Sequence, residues 1–340
     1  MGIITLMWIF GGFSLAFGGD IGGVIGNIGD YFALNNINFL PDGTQVTTIP
    51  FALFFAYQMM FCVITVPLIS GAFAERLNMK GYIGLLIFWT LLVYIPVAHW
   101  VWGLGFLSKL GFADFAGGAV IHTTAGFSAL AAIYALGKRK IKNTSMAPNN
   151  LMIATVGTGL LWFGWFGFNA GSALAADNVA VHAFLTTNTT AAVAMVSWML
   201  VDVLIAKKPT VVGAATGGIL GLVAITPAAG YVPLWSCFII GAVVSPLAFF
   251  MTSFVKHKIG YDDALDAFGC HGAGGIWGAI ATGLFAQKSI NPKVAHSGLV
   301  FGDMHLFIAQ LISIGITIAI AVVGTIVCAK IVSLFAPLRV

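Results

Sequence analysis

The chain has 340 residues, 59% of them hydrophobic and only 8% charged, with a mean hydropathy of +1.00. Soluble domains carry about 25% charged residues, so this composition excludes a soluble globular domain and indicates an integral membrane protein. The net charge of +4 is no sign of nucleic-acid binding, because the basic residues gather at the ends of apolar runs, and runs of about twenty residues indicate helices rather than barrel strands.

Ten apolar segments can be drawn, at roughly 2–17, 49–71, 82–106, 116–137, 151–172, 188–206, 211–228, 231–255, 268–286 and 304–334. Segment 2–17 is short for a span. It lacks the basic n-region and small-residue cleavage site of a signal peptide, and it reads as a true helix. The longest loop, 18–48, holds Asp20, Asp30 and Asp42 but no Lys or Arg. Alternate loops carry Arg76 and Lys80, then Lys138, Arg139, Lys140 and Lys142, then Lys207 and Lys208, then Lys256 and Lys258. With Lys330 and Arg339, these make twelve of the fifteen basic residues; only Lys109, Lys288 and Lys293 lie on the other side. The positive-inside rule therefore places both termini in the cytoplasm and turns the acidic loop outward. The four cysteines, Cys62, Cys237, Cys270 and Cys328, fall in or beside apolar segments without metal-ligand spacing and read as packed free thiols.

Several segments carry groups that hydrocarbon does not favour. On 49–71, Tyr57 and Phe61 are four apart and share a helical face, and His99, Trp100 and Trp102 fall near the outer end of 82–106. Asp114 precedes His122, with Gly117 and Gly118 between them. Asp263 precedes His271 by the same spacing, with Gly269 before the histidine and Gly272 after it. A histidine inside a membrane segment is costly unless it is paired or lines a path. Two unrelated core histidines bonded to backbone carbonyls are the alternative. The repetition favours an inverted repeat whose halves meet at a midplane site. On 151–172, Trp165, Phe168 and Ser172 fall at i, i+3 and i+7, on one face. An interfacial aromatic belt would explain Trp162, but less well a hydroxyl beside two rings. Rings and a hydroxyl at similar depth make a cation–π cup, worth about 2 kcal/mol when desolvated.

Six stretches together resemble the Amt branch of the Amt/Mep/Rh superfamily of ammonium transporters. They are Gly71 to Arg76 (GAFAER), Ala98 to Gly103 (AHWVWG), Asp114 to His122, Gly164 to Ser172, Thr226 to Tyr231 (TPAAGY) and Asp263 to Gly275. The resemblance spans nearly the whole chain. It implies an all-α polytopic membrane protein with the inverted-repeat ammonium transporter fold, here one domain over residues 1–340. The family has eleven helices, so the sequence is expected to begin at the second. Phe61, Trp102 and Ser172 then match an outer ammonium-recognition site, and Phe61 and Phe168 a stacked phenyl gate. His122 and His271 match twin histidines that share a hydrogen bond in the pore, and Trp165 matches a pore-lining ring. Asp114 matches a buried aspartate that shapes the outer site, with Asp263 its counterpart in structural support. Tyr57 stands where phenylalanine is common, a departure taken as minor.

Several partners follow from the same resemblance: ammonium or ammonia with methylammonium as analogue, the lipid bilayer of the cell (plasma or inner) membrane, and a homotrimer with one pore per subunit. PII-type signal proteins dock partly through a cytoplasmic tail, which this sequence, ending at Leu338-Arg339-Val340, is expected to lack. No enzyme activity, cofactor, metal site or nucleic-acid partner is expected. An apolar pore imposes on a full ion a desolvation penalty idealised at about 20 kcal/mol, and ammonium escapes it by leaving its proton behind. An ammonium sensor on the same fold, with its signalling domain elsewhere, is the competing reading.

Overall fold

The computed structural model describes residues 1–140 and 148–340; Lys142, counted above among the basic residues, lies outside them. Among the described residues, seven helices are long and apolar enough to cross a membrane. In chain order with the shorter ones, the helices are α1 (Gly2–Phe17), α2 (Phe51–Ser70), α3 (Met79–Lys109, broken after Trp102), α4 (Gly118–Leu136), α5 (Leu151–Ala173), α6 (Asn178–Ala206), α7 (Val211–Ile225), α8 (Ser236–Ile259), α9 (Phe268–Ala273 running on through Gly274–Phe285) and α10 (Met304–Ser333). These are the ten segments expected, with the bounds moved where polar residues do helical work. The sixth begins at Asn178 instead of 188, because the Asp177 carboxylate caps the Ala180 amide at 3.0 Å. Two threonines in its early turns are buried and bonded within the protein: Thr186 donates to the Ala229 carbonyl at 2.8 Å, and Thr187 to that of Ala183 at 2.6 Å. Asn78, Asn150 and Thr210 cap α3, α5 and α7 in the same manner. Each removes an orphan amide at a helix start.

Two halves are legible in the backbone. The last two helices of each half, α3 with α4 and α8 with α9, contain π-helical turns, at Thr90–Tyr94, Gly118–Thr123, Phe250–Val255 and Phe268–Ala273, and α1 has one at Trp8–Gly12. Such turns re-aim side chains and often mark functional positions. Helices α4 and α9 cross on glycines. A Cβ at Gly126 would lie 2.2 Å from the Gly272 amide nitrogen, and one at Gly275 would lie 2.7 Å from the Gly118 carbonyl. Only glycine allows so close a backbone approach, and the crossing brings the histidines of the two helices together.

The loops that carry most of the basic residues share one end of the bundle, where one ion cluster ties together those that follow α2, α4 and α8. Asp262 is gripped by Arg139, whose Nη2 and Nε donate at 2.7 and 3.0 Å and whose amide donates at 2.8 Å. Buried Arg76 donates to the carbonyls of Gly137 (2.8 Å), Ala72 (2.9 Å) and Asp262. Burial raises the Asp262 carboxyl, but the hydrogen bonds from Arg139 and the nearby Arg76 charge outweigh it and hold the group at about 2. At the opposite end, Asp20 of the 18–48 loop accepts from Lys109 Nζ at 2.6 Å and faces His99 Nε2 at 3.0 Å. These two contacts hold the Asp20 carboxyl at about 2.

Candidate functional site

A cavity of about 200 Å³ opens at the end bearing the acidic loop, with Tyr57, Phe61, Trp102, Asp114 and Ser172 in its wall. Helix α2 supplies Tyr57 and Phe61, α3 Trp102, and the end of α5 Ser172. The Trp102 indole donates to the Asp114 carbonyl at 2.9 Å, which fixes its ring edge-on to Phe61, centroids 5.7 Å apart. Tyr57 stands edge-on to Phe61 at 4.8 Å. The three expected cup residues, Phe61, Trp102 and Ser172, are thus brought together. His99 and Trp100 are not: His99 bridges Asp20 and the Ala16 carbonyl, and Trp100 donates to Val24. Both hold the 18–48 loop.

Tyr57 carries more than its sequence position suggested. Its hydroxyl lies 2.6 Å from the Phe168 carbonyl and 3.0 Å from Ser172 Oγ, and Ser172 Oγ donates to the same carbonyl at 2.9 Å. The two hydroxyl oxygens thus sit side by side, within hydrogen-bond reach of each other and of the same carbonyl. Gln58 also lines the cavity, buried, with its Oε1 unpaired. The sequence signal for both was their place one and two turns from Phe61 and Thr65 on the same helix, which periodicity alone did not separate from packing.

Below the cup, rings form a column. Phe61 meets Phe168 at 4.6 Å, but the planes are inclined at 57° rather than stacked as the resemblance implied. The inclination follows from Phe61 also packing edge-on against Tyr57 and Trp102. Phe168 lies 6.0 Å from the His122 ring, and His122 lies 5.2 Å from His271 at an interplanar angle of 18°. The two Nδ1 atoms are 3.2 Å apart. One ring therefore donates and the other accepts. Trp165 stacks on His122 at 5.4 Å and is held by its indole donating to Thr226 Oγ1 at 3.0 Å. His122 is fully buried, with Nε2 free of partners. His271 borders a second cavity of about 370 Å³ at the basic end, beside Cys270, Thr155 and Thr158. The free thiols of Cys62, Cys237 and Cys328 are buried and that of Cys270 half-buried.

The two aspartates anchor the helices that carry the histidines. Asp114 accepts the amides of Gly117, Gly118, Ala119 and Val120 at 2.9, 2.6, 2.8 and 3.2 Å. Asp263 accepts the Phe268 amide at 2.8 Å, while its Oδ1 has no partner. In each case the carboxylate sits on the first turn of a helix, where amide donors converge.

Residues 1–340 match the model of the Ammonium Transporter Family. An ammonium transporter of Bacillus subtilis is 48% identical over 337 residues, covering 99% of this chain and 82% of that protein. Among solved structures, Saccharomyces cerevisiae Mep2 superimposes with a TM-score of 0.90 at 35% identity, covering 96% of this chain and 74% of that one. A protein described as a sensor Amt protein superimposes at 0.87 with 30% identity, covering 99% of this chain and 84% of that one. The chain is a multi-pass membrane protein and belongs to the Ammonium Transporter Family.

Proposed function

We propose that all ten helices form one domain that moves ammonium nitrogen across the cell membrane, with ammonium captured at the aromatic cup and ammonia conducted past the histidine pair. The observation that supports this most is the unbroken run of rings from the Trp102 cup through Phe61 and Phe168 to two imidazoles 3.2 Å apart. The cup offers what a desolvated cation needs: ring faces of Phe61 and Trp102, and the lone pairs of Ser172. It lies at the acidic-loop end, which the distribution of basic residues turns outward. Full ammonium cannot enter the apolar column without losing hydration idealised at about 20 kcal/mol. Transfer of its proton to the wet cavity leaves neutral ammonia, which needs only one donor and one acceptor at a time. Potassium has no proton to leave and is excluded.

In this reading Phe61 and Phe168 are the gate, and their inclined rings must swing apart for each passage. His122, His271 and Trp165 line the narrow part, and the imidazole pair gives ammonia successive polar contacts in an otherwise dry passage. Asp114 and Asp263 support the two helices without touching the ion. The molecule works as a homotrimer with one path per subunit, both termini cytoplasmic, and any PII-type signal protein would meet the basic end. Uptake of methylammonium into proteoliposomes, with current recorded in parallel, tests the proposal. Saturable uptake competed by ammonium and not by potassium is expected, and binding without flux would contradict it.

That second outcome is what the sensor reading predicts. The likeness to the sensor Amt protein gives it one specific support. The greater identity to the Bacillus subtilis ammonium transporter supports the transport reading ahead of it.

A further inference from the structure

The loop between α9 and α10 carries a side-chain cluster that transport as described does not use. His296, Asp303 and His305 each present one ligand-type atom, all within 4.8 Å of one another. His296 Nδ1 and His305 Nδ1 each lie 2.9 Å from a different oxygen of the Asp303 carboxylate. The two imidazoles stack, centroids 5.0 Å apart and planes at 24°. The backbones under them are anchored. The Gly298 amide donates to the Ala286 carbonyl at 2.7 Å, closing the loop at its base, and Asp303 caps α10 by accepting the His305 amide at 2.9 Å. Asp303 and His296 are half-buried, and His305 is exposed.

We propose that His296, Asp303 and His305 form a binding site for a divalent transition-metal ion of the zinc class on the loop that also reaches the outer cavity. Two imidazoles and one carboxylate are the donor set of open, three-ligand zinc sites, with water in the fourth position. The same set suits nickel or copper(II), while calcium would want six or more oxygens. Ligand bonds of about 2.0–2.2 Å require the three atoms to draw together from their present spacing, which movement of the exposed His305 ring towards half-buried His296 and Asp303 supplies. Each neutral ring moves its Nδ1 proton to Nε2 on binding, so no net proton need leave.

The site has a consequence for transport, which rests on the function proposed above. Lys293 and Asn291, on the same loop, line the outer cavity. Val294, between them and His296, is buried in a small cluster with Ala113, Ala286 and Leu306. An ion clamping His296 to the start of α10 restrains that loop and adds positive charge near the cation entrance. Both effects slow ammonium entry.

The test uses the full chain, purified in detergent, stripped with chelator and titrated with zinc by equilibrium dialysis. The wild type is expected to bind one zinc per chain, and His296→Gln and His305→Gln to bind it at least tenfold more weakly, with unchanged gel-filtration profiles. Equal zinc binding in all three proteins, or none in the wild type, overturns the site. Methylammonium uptake by proteoliposomes then tests the consequence: zinc should slow the wild type and spare both variants. Zinc that binds through these histidines yet leaves wild-type uptake unchanged overturns the effect on entry. The binding arm stands whether or not the protein transports, so the two failures are distinguishable.

Discussion

The two motifs that precede α4 and α9 solve one problem with different degrees of completeness. Both place an aspartate before the helix and a residue with positive φ three positions later, Gly117 at +109° and Asp266 at +55°. In each, a π-helical turn carries the histidine, and a glycine four positions on packs against the opposite helix. The first motif is saturated: Asp114 holds four amides and His122 is sealed from solvent. The second is looser. Asp263 leaves one oxygen unpaired, Asp266 spends its side chain on Lys256 Nζ at 2.7 Å, and His271 borders the cavity at the basic end. A duplicated backbone thus holds one histidine sealed from solvent and one that borders a cavity.

Removing the two carboxylates tests that difference where it is largest. Hydrogen bonds to a charged group contribute about 1.5–3 kcal/mol each, and they are not additive. Asp114→Ala should destabilise the protein by more than about 3 kcal/mol in detergent unfolding, with Asp263→Ala costing roughly half as much. Equal losses would erase the asymmetry. At the outer end, Trp102→Ala removes a ring from the cup and should weaken discrimination of ammonium over potassium by about 2 kcal/mol, read from competition of methylammonium uptake. Unchanged selectivity would place recognition elsewhere.

Much of this was legible in residues. The ten segments follow from apolar runs and the meeting of His122 with His271 from the repeated Asp-x7-His, whereas the grouping of Phe61, Trp102 and Ser172 was implied by the family resemblance. Three things were not. The start of α6 at Asn178 was hidden because its threonines bond to carbonyls of the protein rather than facing lipid. The inclination of Phe61 against Phe168 depends on two further rings from separate helices. Tyr57 is one oxygen beyond phenylalanine in sequence, and only the crossing of α2 and α5 sets that oxygen 3.0 Å from Ser172.

Smaller effects sharpen the picture at each end. Tyr57→Phe deletes one hydroxyl beside Ser172 and should shift ammonium affinity by about 1 kcal/mol, measured as a change in uptake KM with maximal rate held. A change in rate alone would assign Tyr57 to gating. At the basic end, the Asp262 carboxyl is held at about 2, below its usual 3.8. A depressed carboxyl adds stability that is present above about pH 4 and lost as pH falls from there through 2. Arg139→Ala should flatten unfolding stability over that window, and an unchanged slope would show that Asp262 does not depend on Arg139.

The most direct test of the central account compares current with binding in the same proteoliposomes for the wild type, His122→Ala and His271→Ala. If both histidines line one path below a separate cup, each variant should fold and bind methylammonium within about twofold of wild type, because the cup's cation–π contacts are untouched, while its current changes severalfold. Folded variants that conduct as the wild type does, or that lose binding in step with current, would contradict it.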